Sequence, residues 1–197
     1  MKIQALNKIE KPYFGYGEIA KALGISPSSA RVSANRYACQ GFIIRVKRGV
    51  YVLAQKWRLA SPEEKFLIAN IAQVPSYVSL MTALEYYGIT TQMQRDFVES
   101  VGQKRSREFT AGETVLGYAK VSKKLYFGFT REKGFFIASA EKAFLDAVYL
   151  ASLGRYSFDM TSIDPGKLDK EKIAAMAKAF PEKTRRLLKV YGCAAKA

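Results

Sequence analysis

Residues 17–25, GEIAKALGI, space Ile19, Ala20 and Leu23 along one helical face, and Gly24 supplies the left-handed residue that closes a helix. Ser26 and Pro27 then restart helical structure, serine as N-cap and proline at the first helical position. This second helix is expected to run to about Gln40 and stop at Gly41. Beyond it, the β-branched and aromatic runs FIIRV and VYVLA flank Lys47-Arg48-Gly49, which predicts a hairpin with a basic tip. Helix, tight turn, helix and basic hairpin is the order of a winged helix-turn-helix.

The pattern changes after the hairpin, and the boundary is placed at residues 55–60, giving modules of 1–57 and 58–197. Ser61-Pro62-Glu63-Glu64 carries a capping box and starts a helix. SLMTALEYYG reads as another, capped by Ser79 and stopped by Gly88. Strands are expected around DFVESV, TVLGYAKV, KLYFGFT and FFIAS, the first two separated by the charged loop QKRSREFTAGE. A helix beginning near Ser139, a turn at Asp164-Pro165-Gly166 and helices over 169–180 and 181–191 complete a mixed α+β body.

On a wheel of about 100° per residue, Ala30, Ser33, Ala34 and Tyr37 fall on one side of the second helix. Ser28, Arg31, Val32, Asn35, Arg36 and Cys39 fall on the other. Those are groups that read a major groove. Arginine grips guanine O6 and N7, asparagine pairs with adenine N6 and N7, and an aliphatic group meets a thymine methyl. Val32 admits a second reading, as a partly buried packing residue. Ser26, Ser28 and Ser29 crowd the helix N-terminus, where backbone N–H groups suit a phosphate. Arg45, Lys47 and Arg48 on the hairpin would reach the neighbouring backbone or minor groove. The same face could also be a solvated or protein-binding surface.

Charge sharpens the picture. The chain has 197 residues and a formal charge of +15. Residues 1–60 carry eleven basic side chains against two acidic, Glu10 and Glu18, while residues 61–150 carry eleven against ten. The field is concentrated where the helix and hairpin lie, which suits a polyanion. There is no histidine, and the two cysteines, Cys39 and Cys193, are not at metal-ligand spacing. These facts argue against a zinc site and against histidine acid–base chemistry, and no cofactor is expected. With neither a secretory signal nor a membrane-length apolar run, a cytoplasmic protein without a membrane partner is expected.

The body offers little chemistry. Ser139 and Lys142 match the serine–lysine spacing of some acyl-transfer enzymes, but the supporting motifs are missing. Ser139 as an N-cap explains the residues better. Glu141 and Asp146, five apart, do not share a helical face. Phe144, Leu145, Val148 and Tyr149 make this a core helix. No catalytic residue is assigned.

Several segments together resemble the AbiEi-type antitoxins of bacterial type IV toxin–antitoxin systems: GFIIRVKRGVYVL, SYVSLMTALEYYGIT and FFIASAEKAFLDAVYLASLG. The resemblance implies a winged helix that represses its own operon at promoter inverted repeats. It further implies a C-terminal domain that counteracts a nucleotidyltransferase-type toxin, with two copies on each operator. The DNA contacts implied are Ser28, Ser29, Arg31, Asn35 and Arg36 on the helix, and Arg45, Lys47 and Arg48 on the wing. The competing reading is an interaction protein whose body binds an acidic partner and whose basic module has only nonspecific DNA affinity. A nucleic-acid enzyme would need a carboxylate–metal site, and the acidic residues form no cluster in sequence.

Overall fold

The computed structural model describes residues 2–192, so Cys193 lies outside the described residues. The caps act where the sequence places them. Helix α1 (Tyr16–Leu23) ends at Gly24, whose φ of 63° is left-handed. Ser26 accepts from the Ser29 N–H and opens α2 (Pro27–Cys39). Strands β1 (Ile43–Lys47) and β2 (Val50–Leu53) form the hairpin, and α3 (Ala54–Arg58) follows at once. The boundary expected at residues 55–60 is therefore occupied largely by a helix, whose Trp57 is buried with the C-terminal core.

The body begins with α4 (Pro62–Ala72), opened by the Ser61–Glu64 capping box. Next come β3 (Ser76–Val78), α5 (Leu80–Tyr86), β4 (Phe97–Gly102), β5 (Arg107–Ala111) and β6 (Thr114–Lys120). They are followed by β7 (Phe129–Glu132), β8 (Phe135–Ala138), α6 (Ala140–Ser152), α7 (Lys170–Ala177) and α8 (Glu182–Val190). The six body strands form one mixed sheet in the order β5-β6-β4-β3-β8-β7. Pairs β4–β6 and β3–β8 are parallel and the other three antiparallel.

Two strands were not anticipated. β5 lies inside the stretch expected to be a charged loop, and β3 precedes the helix expected from Ser79. The segment read as the strand KLYFGFT begins instead as a 3-10 turn, Lys123–Leu125, and becomes extended only at Phe129. The fold class is the expected one, a helical N-terminal unit with a hairpin followed by a mixed α+β body.

One face of the body sheet packs on α4, where the Tyr118 hydroxyl donates to the Ala69 carbonyl at 2.5 Å. The other packs on α6, where a polar knot is fully buried. Lys142 Nζ pairs with Asp146 Oδ1 and donates to the Tyr77 hydroxyl at 2.8 Å. Tyr77 and Ser79 each donate to Asp146 Oδ2 at 2.9 Å. Both ions have no exposure at all. Burial pushes the Lys142 ammonium down and the Asp146 carboxyl up, each opposed by the other's charge.

Ser79 occupies the N-cap position of α5 as expected, yet its hydroxyl is spent on Asp146 and does not cap the helix. The Glu99 carboxylate on β4 does that work, accepting from the Met81 and Thr82 N–H groups at 2.9 and 3.3 Å. Ser139, by contrast, does cap α6, accepting from the Lys142 N–H. The serine and lysine meet through a backbone amide, while the ammonium is held by Asp146 and Tyr77.

Breaking the buried pair on one side strands a charge in the core. Asp146→Ala is expected to lower the unfolding free energy by about 3–5 kcal/mol. Lys142→Met/Asp146→Leu should recover most of that loss, and urea denaturation followed by circular dichroism measures both. Equal destabilisation by the single and double variants would contradict this account.

Candidate nucleic-acid interface

The second helix divides as its sequence spacing requires. Ala30, Ala34 and Tyr37 are buried in the smaller of two cores, against Ile19 of α1 and Ile43, Tyr51 and Leu53 of the hairpin. Small side chains let α2 lie close to α1. Ser28, Arg31, Val32, Asn35, Arg36 and Cys39 are all exposed on the opposite face. Val32 is 69% exposed, so it is not a packing residue. Cys39 is a free, exposed thiol.

At the start of α2 the serines hold one another. The Ser26 hydroxyl accepts from the Ser29 N–H at 3.2 Å, donates to Ser29 Oγ at 3.0 Å, and lies 2.9 Å from Ser28 Oγ. All three remain exposed.

Cations on the helix and the hairpin converge. Burial, with a hydrogen bond to Tyr16, pushes the Tyr51 phenol up to about 12, and the charges of Arg45 and Arg31 both act on it in the opposite sense. Tyr51 is fully buried, its hydroxyl donating to that of Tyr16 at 3.3 Å. The charge of one guanidinium from α2 and that of one from β1 thus both reach the same buried phenol. Arg36 lies with its guanidinium 5.2 Å from the Tyr37 ring centroid, and Arg48 is exposed at the tip beside Gly49, whose φ is 76°.

Lys47 behaves differently from the other expected contacts. It is half-buried, and its ammonium donates to the Ile71 carbonyl of α4 at 2.5 Å. Its pKa is lowered by that burial and by the charges of Lys104 and Arg107 nearby. The structure therefore brings nine of the ten expected residues to the exposed surface of the module and turns the tenth toward the body. A register shift between Arg45 and Lys47, invisible in the sequence, causes the difference.

Residues 1–54 match the family described as transcriptional regulator, AbiEi antitoxin. The match covers the helix-turn-helix and the hairpin, about the first quarter of the chain. The family is the one that the segments quoted above resemble, a family of transcriptional regulators and antitoxins. No curated protein sequence matches the chain. Among solved structures, the crystal structure of the RV2827C protein from Mycobacterium tuberculosis aligns with 96% of this chain and 75% of that one. Its TM-score is 0.62 at 8% sequence identity, so the likeness is one of fold, and it extends past residues 1–54 through the body.

Among the described residues, no group of three or more His, Cys, Asp or Glu side chains is placed to hold a metal ion. No helix among them is long and apolar enough to cross a membrane.

The exposed and buried faces of α2 should respond oppositely to substitution. Val32→Ala is expected to change the unfolding free energy by less than about 0.5 kcal/mol. Ala34→Leu, which forces a larger side chain between α1 and α2, should cost about 1–3 kcal/mol. Thermal and urea melts of the two variants measure the contrast, and a large loss at Val32 would move that residue into the core.

Proposed function

We propose that the protein is a sequence-specific DNA-binding repressor of antitoxin type, acting on inverted repeats in its own promoter. The observation that carries the reading is the exposed face of α2. It sets two guanidinium groups, a carboxamide and an aliphatic side chain side by side, next to the cations of the wing. Arg31 and Asn35, one helical turn apart, read base edges, and Arg36 and Val32 flank them. Ser26, Ser28 and Ser29 at the helix start, with Arg45 and Arg48 on the wing, hold phosphates and set the register. Residues 1–57 form the reading module.

The body, residues 58–197, counters a nucleotidyltransferase-type toxin in this proposal, and two copies of the chain occupy one operator. No catalytic step is assigned to any residue, no cofactor or metal is required, and the protein works in the cytoplasm beside the DNA.

The test is fluorescence anisotropy of the whole chain on DNA from upstream of its own gene, against a shuffled duplex of equal composition, over a range of salt. Binding should favour the native duplex. Arg31→Ala/Asn35→Ala should erase that preference, because each bidentate contact contributes about 1–3 kcal/mol of discrimination. Arg45→Ala and Arg48→Ala should weaken both duplexes alike, each reducing the slope of log K on log salt by about 0.9. Equal binding to both duplexes that disappears as salt rises would leave only a nonspecific basic surface. The toxin arm is tested separately, by co-expression with an adjacent nucleotidyltransferase: the DNA-blind double variant should still rescue growth.

A further inference from the structure

The hairpin belongs to two cores at once. Ile43, Tyr51 and Leu53 are buried in the N-terminal core, while Val46 and Val52 are buried in the body core, with Ile44 and Val50 packed against it. Cross-strand register explains the split. Ile43 faces Leu53 and Arg45 faces Tyr51 on one side, and Ile44 faces Val52 on the other. Past Arg45 the register shifts, so that Lys47, and not Val46, stands opposite Val50. The shift moves Lys47 from the face it would have shared with Arg45 to the face that meets the body.

Two hydrogen bonds close the contact. Lys47 Nζ donates to the Ile71 carbonyl at 2.5 Å, and Trp57 Nε1, just after β2, donates to the Ala111 carbonyl at 2.8 Å. Gly112, in the β5–β6 turn, approaches so closely that a Cβ there would stand 3.1 Å from Ile44 Cδ1 and 3.5 Å from Trp57 Cδ1. Among the described residues Lys47 has no ion-pair partner, and Lys104 and Arg107 raise the cost of its charge. A free surface lysine would turn away from two other cations; this one is held against a carbonyl by the strand that carries it.

We propose that the body sets the position of the wing on DNA, with Lys47 and Trp57 as positioning residues that touch no nucleotide. The proposal rests on the DNA-binding reading above. Without the body the hairpin would keep Ile43, Tyr51 and Leu53 in the N-terminal core but lose the packing of Val46 and Val52, and the order lost is order that binding must then restore. Arg45 and Arg48 flank Lys47 in the chain, and anchoring its ammonium on α4 fixes where both guanidinium groups point. The contribution of Lys47 is geometric, and the phosphate contacts belong to its neighbours.

The experiment uses the whole chain with Trp57→Phe and Lys47→Met, both checked by circular dichroism. Trp57→Phe removes one N–H and no charge; Lys47→Met keeps most of the stem and removes the ammonium. Each should weaken binding to the native duplex about tenfold at fixed salt. In each the slope of log K on log salt should keep its wild-type value, whereas a lost phosphate contact lowers it by about 0.9. Hydrogen exchange without DNA reads the clamp on its own, and amides of residues 43–53 should exchange faster in both variants. Unchanged exchange would overturn the clamp. A slope lowered by about one unit in Lys47→Met, with Trp57→Phe binding like wild type, would make Lys47 a phosphate contact and overturn the positioning role. If the wild-type chain shows no preference for its own duplex, the DNA reading fails and the positioning role falls with it, while exchange still decides whether the body holds the wing.

Discussion

A hairpin with apolar side chains on both faces cannot be a free wing. In this chain the alternation along β1 and β2 sends Ile43, Tyr51 and Leu53 to one core and Val46 and Val52 to another. Much of the remaining architecture follows from that constraint. The same Tyr51 that is buried in the N-terminal core, within reach of the Arg31 and Arg45 charges, lies one residue from Val52, which is locked into the body. The relative placement of α2, wing and body is thereby fixed by packing across a four-residue strand, without a flexible linker. The helix α3 that follows at once continues the contact through Trp57.

The body has a different organiser. Lys142, Asp146, Tyr77 and Ser79 tie α6, β3 and the start of α5 into one buried network. Burying two charges is costly, and an apolar replacement of similar shape would often be as stable. What the network adds is a fixed relation between elements far apart in sequence. Recruiting Ser79 to it leaves the α5 N-terminus without its expected cap, and Glu99 from β4 takes over. Leu80, between them, holds a φ of 57°, a region that L side chains rarely adopt. The strained residue is pinned on one side by the network and on the other by the Glu99 carboxylate.

Local signals in the sequence were reliable where local physics decides. Ser26, Ser61 and Ser139 cap the helices they appear to cap, and Gly24 closes α1, because those bonds span three or four residues. The polar face of α2 was legible for the same reason. What escaped was non-local. β5 is rich in charge and looks like a loop, and only its pairing with β6 makes it a strand. β3 is three residues long, and its identity comes from neighbours on both sides. Lys47 reads as one more cation at a basic tip, and a register shift of one residue redirects it. The signals for the wing's double role were present but ambiguous: an apolar run broken by Arg45 on the first strand, an unbroken one on the second, and the lone tryptophan shortly after it.

The distribution of charge bears on how such a module would discriminate. Of the two carboxylates in residues 1–60, Glu18 is tied up locally: it accepts from the Gly15 N–H and pairs with Lys11, which hold its carboxyl down at about 2. The guanidinium groups on α2 and the wing are therefore nearly uncompensated, and they draw any polyanion equally well. Selectivity has to come from the few groups that reach base edges. On the proposed reading, Arg31 and Asn35 together supply roughly 2–6 kcal/mol per copy, against the approximately 4–10 kcal/mol that separates specific from nonspecific binding in regulators generally. One copy falls at or below the lower part of that range. Doubling the readout on an inverted repeat brings it inside, which is a physical reason for a strongly basic module with so short a reading face to act as a pair.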